Sequence, residues 1–175
     1  MKEGMNMSEK IYSFAPVLPE RPKVLILGSM PGGMSLKKQQ YYGNPRNHFW
    51  PIMFELFHQE TLEDYEAKLA FIKKQGIALW DTIGSCYREG SLDTNIVNEE
   101  PNAIAELVSK YPSLGLIVCN GGKSYQTFKK HFSKELFGKV DVRKLPSTSP
   151  IPGRYTKTFA GKVEEWKVIL DHLDN

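Results

Sequence analysis

Apolar residues in this chain come in two patterns. Val24 to Leu27 is a short continuous apolar run, the signature of a strand covered on both faces. Ile77 to Trp80, Leu114 to Cys119 and Val140 to Leu145 read as three further strands. Between them apolar residues recur at helical spacing. Phe49, Ile52, Met53, Leu56 and Phe57 form one such stripe, starting from Asn47 or Phe49. Tyr65, Leu69 and Ile72 form a second, with Thr61 as its cap, Asp64 three residues on, and Gly76 closing it. Asn102 to Lys110, introduced by Pro101, and Lys123 to Phe132 are helical. Ala160 to Leu173 ends the chain, with Val163, Trp166, Ile169, Leu170 and Leu173 inward. Ile11 to Pro22 contains Pro16, Pro19 and Pro22 and reads as an extended lead-in.

Strands alternating with helices imply right-handed crossovers and a parallel sheet between helical layers. The expected fold is α/β, a three-layer α/β/α sandwich around a short, mainly parallel four-stranded sheet. Residues 1–22 are the lead-in and residues 23–175 one catalytic domain, in keeping with a length of 175 residues. Each strand runs into an unusual polar loop: Gly28 to Gly33, Asp81 to Cys86, Asn120 to Lys123, and Pro146 to Pro150. In a parallel sheet these four ends share one edge, the usual place for a ligand. The stretch from Gly84 to Glu99 reads as a loop.

Composition adds less. No apolar run is long enough to span a bilayer, and Met1 to Lys10 has no hydrophobic signal-peptide core. Cys86 and Cys119 give neither a disulfide framework nor a metal-ligand spacing, as expected of a reduced cytoplasmic protein. The net charge is only +3, but between Gly121 and Lys162 ten basic residues face only Glu135 and Asp141. That asymmetry fits a polyanion partner such as nucleic acid, or a lysine-rich solvated surface.

Several motifs are excluded. Gly122-Lys123-Ser124 lacks the glycine five positions earlier that a phosphate-binding loop requires, since Ile117 stands there. Gly28-Ser29-Met30-Pro31-Gly32 has Met30 where a nucleophile elbow has serine. The glycines of that loop do not make a dinucleotide fingerprint, and His48, His58, His131 and His172 show no zinc spacing. No metal or cofactor is implied.

Gly28-Ser29-Met30-Pro31-Gly32, Tyr41-Tyr42-Gly43-Asn44-Pro45-Arg46-Asn47-His48-Phe49-Trp50 and Leu145-Pro146-Ser147-Thr148-Ser149-Pro150 together resemble the uracil-DNA glycosylase superfamily, in its hypoxanthine (deoxyinosine) branch. The likeness extends from about Lys23 to Leu170. It implies a glycosylase that hydrolyses the N-glycosidic bond of a flipped base, without a cofactor, in double-stranded DNA. Many members carry Asp or Asn where this chain has Met30, and some carry a histidine where Leu145 stands. The resemblance points to Asn47 as the replacement. A carboxamide can hold a water through its carbonyl oxygen, and positioning alone is worth roughly 7 kcal/mol in ideal cases. Asn is also a favoured helix N-cap, and the two roles are compatible.

The base-binding candidates are Gly28, Ser29, Met30, Pro31, Tyr42, Phe49, Asp81 and Asn120. Tyr42 and Phe49 would supply the aromatic platform, although Phe49 fits a core role equally and Trp50 fits it better. An ionised Asp81 accepts only, which suits the N1–H of hypoxanthine and disfavours adenine; as a loop cap it would have no such role. Asn120 either lines the pocket or makes a turn with Gly121. The DNA-binding candidates are Lys123, Ser147, Thr148, Ser149, Ile151, Arg154 and Lys157, with Ile151 a wedge for the emptied stack. Arg88 and Glu89 either touch DNA or pair with each other. The protein is expected to be a monofunctional monomer. The alternatives are a mismatch-type uracil or thymine glycosylase, an inactive DNA-binding relative, and an enzyme of free nucleosides.

Overall fold

The computed structural model describes residues 9–153 and 156–173. In chain order its strands and helices are β1 (Lys10–Tyr12), β2 (Val24–Gly28), α1 (Gly33–Lys38), α2 (Phe49–Leu56), α3 (Tyr65–Lys74), β3 (Ile77–Asp81), β4 (Ile83–Tyr87), β5 (Val97–Pro101), α4 (Ile104–Lys110), β6 (Leu116–Asn120), α5 (Gly122–Leu136), β7 (Asp141–Leu145) and α6 (Phe159–Trp166). Short 3₁₀ turns cover Asp93–Asn95 and Lys167–His172. Four strands form a parallel sheet in the order β3-β2-β6-β7.

The continuous apolar runs follow from burial on both faces. Val24 and Ile26, Ile77 and Leu79, and Leu116 and Val118 enter one layer with Ile52 and Met53 of α2, Ile72 of α3 and Trp166 of α6. Their alternates, Leu25, Leu27, Ala78, Ile117 and Cys119, enter the other layer with Ile104 and Leu107 of α4 and Phe128 and Phe132 of α5. A polar residue at any of these strand positions would lose about 1.5–3 kcal/mol of burial and leave a polar group unpaired. The three-layer α/β/α sandwich expected from the pattern is the fold observed.

Five details differ from the expectation. Residues 84–99 are not one loop: their two ends belong to β4 and β5, which pair antiparallel and leave residues 88–96 as the connection, and β1 pairs with β4, making a second sheet of order β1-β4-β5. The lead-in is extended as expected, but its first residues belong to that sheet, and Val17 bridges to Leu79 further on. Pro101 ends β5, and α4 starts three residues later, after Ala103. The closing helix tightens to a 3₁₀ turn after Trp166. The cap of α3 also moves. Asp64, not Thr61, accepts from the Ala67 N–H at 3.0 Å, because the helix begins only at Tyr65.

The two cap assignments separate in urea titrations. Asp64→Ala is expected to cost about 1 kcal/mol. Thr61→Ala should stay within about 0.5 kcal/mol of wild type.

Candidate active site

Gly28 stands beside Asp81, and Asn120 beside Leu145, so the ends of all four parallel strands share one edge. Over that edge lies a cavity of about 370 Å³, within the size range of small-molecule sites. Its wall is made by Phe14, residues 28–35, Tyr41, Tyr42, Asn44, Asn47, Asp81, residues 91–94, Asn120 and residues 147–151. The loops singled out from the sequence thus meet in one place, joined by a segment that was not.

The floor is Asp81. A side chain on Gly28 would put its Cβ 2.5 Å from Asp81 Oδ1, so the carboxylate lies directly over backbone that must stay bare. Asp81 is 5 % exposed, and its Oδ2 has no hydrogen-bond partner among the described residues. Burial raises this carboxyl from 3.8 to about 7; the nearby Asp93 adds to the rise and Arg88 opposes it. The backbone carbonyl of Asp81 accepts from Asn102 Nδ2 at 2.7 Å. An orphaned acceptor in a concave, buried position is an unmet demand for a donor.

Tyr42 makes the aromatic side of the cavity. Its ring stacks on Phe49 with centroids 4.0 Å apart and planes 18° off parallel. Phe49 itself is fully buried and is absent from the cavity wall. It supports the platform and is not the platform, a correction that follows from its place on the core side of α2. Tyr42 is held at φ +55°, a left-handed conformation that is rare for a bulky residue and stores strain. The preceding residue is clamped to keep it there. Tyr41 donates its N–H to Tyr65 Oη at 2.9 Å and its hydroxyl to Ala15 O at 2.8 Å, and its carbonyl accepts from Trp50 Nε1 at 3.1 Å.

Asn47 lies in the wall that also contains Met30 and Ser147. Its Oδ1 accepts from the Phe49 N–H at 2.8 Å, an Asx turn leading into α2 that fixes the amide; the N-cap residue is His48 and not Asn47, because the first intrahelical bond runs to the His48 carbonyl, and the Asn47 carbonyl oxygen retains a second lone pair. The adjoining His48 is fixed from two directions. Its N–H donates to Thr148 O at 2.9 Å. Its Nδ1 lies 3.2 Å from Lys162 Nζ, an amine only 2 % exposed whose pKa burial lowers.

Asn120 and Thr148 lock the last two strand ends together. Asn120 Nδ2 donates to Thr148 Oγ1 and its Oδ1 accepts from the Thr148 N–H, both at 3.0 Å, while Nδ2 also reaches Tyr42 Oη at 3.3 Å. Thr148 is 1 % exposed, so it is a pin inside the site and not a phosphate contact. The Ser147 and Ser149 hydroxyls accept from the Ser149 and Ile151 N–H groups, at 3.1 and 3.2 Å, and shape the loop. Gly121 sits at φ +94° with a virtual Cβ 2.9 Å from Ser147 Cβ, so only glycine lets the two loops touch.

Met30 lines the cavity, but it also packs with Ile83, Cys86 and Ile96 in a small separate core. Ser29 donates its hydroxyl to Asp93 Oδ1 at 2.8 Å. Arg88 neither touches DNA from the surface nor pairs with Glu89. It is 8 % exposed, and donates to Pro31 O at 2.7 Å and Gly90 O at 2.8 Å, tying residues 88–94 to the loop after β2. Ser91 and Asp93 are the site residues that reading the sequence missed. The one signal for them was a buried-type arginine followed by small polar residues.

The basic candidates fare less well. Lys123 is paired with Glu99 at 3.0 Å, and Lys130 and His131 approach the same carboxylate. Lys157 is paired with Glu165 at 2.9 Å. Neither lines the cavity, because each is drawn to an acid the sequence pattern left far away. Arg154 lies outside the described residues. Ile151 does line the cavity and is 48 % exposed.

Comparison with known proteins agrees with this geometry. Residues 15–170 match the model of the uracil DNA glycosylase superfamily. A protein of Methanosarcina acetivorans named hypoxanthine DNA glycosylase is 38 % identical over 163 residues, covering 91 % of this chain and 97 % of the relative. Another of that name, from Methanosarcina barkeri, is 40 % identical over 116 residues, covering 66 % of this chain and 73 % of the relative. A solution NMR structure from Methanosarcina acetivorans, described as a candidate uracil DNA glycosylase, superposes with a TM-score of 0.80 at 34 % identity, over 95 % of this chain and all of that one.

The Asp81 carboxyl makes a pH-dependent contribution whose sign is fixed. The folded protein holds its proton more tightly than the unfolded chain does. That stability is therefore complete below the unfolded value of 3.8 and is lost as pH rises toward about 7. Asp81→Asn should accordingly gain on wild type between these limits in urea titrations run across pH. A gap that does not widen with pH would contradict the raised value.

Proposed function

The chain belongs to the uracil DNA glycosylase superfamily, and we propose that it is a monofunctional glycosylase that removes hypoxanthine from deoxyinosine in double-stranded DNA. We take it to act as a monomer in the cytoplasm, through one catalytic domain. The observation that carries this reading is the unpartnered Oδ2 of Asp81 at the cavity floor. Two relatives named hypoxanthine DNA glycosylase support the choice of base.

A base inside a duplex exposes neither its Watson–Crick edge nor its sugar carbon to the protein, so the nucleotide must leave the stack. In the cavity the purine would lie against Tyr42. Its N1–H would meet Asp81 in the ionised form, which has acceptors only. Adenine carries an acceptor at N1 and would leave the carboxylate unsatisfied, a penalty large enough to discriminate strongly.

Asn47 then holds a water against C1′. Its amide is fixed by the Phe49 N–H, so the remaining lone pair points where the fold directs it. As the C1′–N9 bond breaks, its electron pair leaves with the purine, the sugar becomes oxocarbenium-like, and the water oxygen bonds to C1′. The proton shed by the water balances the one taken up by the departing base. Nothing in this scheme asks Asn47 to be a strong base. Its contribution is position. Among the described residues no lysine is in the cavity wall to form a Schiff base with the sugar, which is why the reading is monofunctional.

Two measurements test the reading. Duplexes containing inosine, uracil or xanthine would be treated with protein and then alkali, which breaks the strand at abasic sites. Inosine duplexes should be cut, and Asn47→Ala should lose at least about 100-fold in single-turnover rate with DNA affinity nearly unchanged. A wild-type rate in that variant would remove Asn47 from the chemistry, and cleavage confined to uracil would move the protein to a mismatch-type activity. In the second, hypoxanthine excision by the wild type should rise with pH through about 7 as Asp81 ionises. In Asp81→Asn that rise should vanish and the rate stay low.

A further inference from the structure

Among the described residues, three of the exposed large apolar side chains, Met34, Leu92 and Ile151, line the mouth of the same cavity. Ile151 follows β7, at one edge of the parallel sheet. Leu92 follows β4, which continues from β3 at the opposite edge after the single residue Thr82. The two therefore rise on opposite flanks of the site. Leu92 is 45 % exposed in an otherwise polar stretch, Gly90-Ser91-Leu92-Asp93-Thr94.

Its neighbours are fastened on both sides. Ser91 Oγ accepts from the Gly33 N–H at 2.8 Å, and Asp93 Oδ1 accepts from Ser29 Oγ at 2.8 Å. Below them, Arg88 grips the carbonyls of Pro31 and Gly90. Asn95 Nδ2 closes the loop by donating to Glu89 O at 3.1 Å. A loose loop would let a leucine fold back onto apolar surface. This one holds Leu92 out at the mouth of the cavity, where the base pairs next to an extruded nucleotide would lie.

We propose that Leu92 is a second wedge: it inserts into the duplex on the flank opposite Ile151 and covers the face of the base pair next to the extruded nucleotide. The proposal rests on the glycosylase reading. Extrusion exposes base faces on both sides of the gap, and apolar side chains inserted between steps are an established way of holding a duplex open. With one wedge on each flank, neither neighbouring pair can close into the space left by the flipped base. The loop that offers Leu92 is already tied at Ser91, Asp93 and Asn95, so little ordering of that loop is needed when DNA arrives.

The wedge has a readout that contact with the flipped base lacks. Leu92→Ala is compared with wild type, in single turnover, on inosine in a duplex and on the same strand alone. Excision from the duplex should fall roughly 10- to 100-fold, the worth of one buried leucine side chain, while excision from the single strand stays within about twofold. A second measurement does not need single-strand activity. In a duplex with 2-aminopurine flanking inosine, binding of Asn47→Ala should raise the 2-aminopurine emission, and adding Leu92→Ala should suppress that rise. Equal losses on both strands, an unchanged duplex rate, or an undiminished 2-aminopurine signal would overturn the wedge alone. A wild type that excises nothing from either substrate would sink the glycosylase reading and the wedge with it.

Discussion

The site depends on a carboxylate held against bare backbone. Asp81 ends one strand and Gly28 ends its neighbour, in register, with no room between them for a methyl group. Every atom of side chain at position 28 would lift the acid out of the floor. The cost of keeping a carboxyl there is visible in its raised pKa, and none of the described residues offsets it with a hydrogen bond at Oδ2. A core that tolerates such a group is one whose stability has been traded for a ligand.

Around this floor the fold uses few bonds, each between loops from different strands. Thr148 makes three of them. It receives Asn120 through two hydrogen bonds and offers its carbonyl to His48, so the last strand-end loop, the third strand and the start of α2 move as one body. Trp166 seals the same corner, donating to Pro146 O at 2.9 Å and meeting Phe49 edge-on. Asn47 therefore stands on a helix start braced from three sides. The role proposed for Asn47 depends on position, and this bracing is what the fold supplies toward it.

Much of this was legible in the sequence because it rests on local rules. Three apolar runs and the mixed segment Val140 to Leu145, each followed by glycine or polar residues, marked the parallel sheet and its loaded edge, and the motif residues Asn47, Tyr42, Asp81 and Asn120 all line the cavity. What stayed hidden depends on partners far along the chain. β5 reads Val-Asn-Glu-Glu-Pro, with no alternation to mark it, and is a strand because β4 pairs with it through two register shifts. Lys123 sits at a helix start as expected, yet Glu99 occupies it. Phe49 has the right chemistry for a platform, but helix phase turns it to the core and leaves Tyr42 in front. Thr61 and Asp64 are both good caps by type, and only the onset of the helix decides between them.

The small sheet β1-β4-β5 has its own consequence. Its first strand comes from the start of the described chain, and Asn102 ties Ser13 to the same assembly across 89 residues. Its buried apolar core is only Met30, Ile83, Cys86 and Ile96, a fraction of what lies under the parallel sheet. One wall of the cleft is thus an annex with a smaller apolar core than the central strands, held in place by polar ties to the loop after β2. A substitution in this small core should therefore be felt at Ser91 and Asp93 on the cavity wall before it reaches the parallel strands.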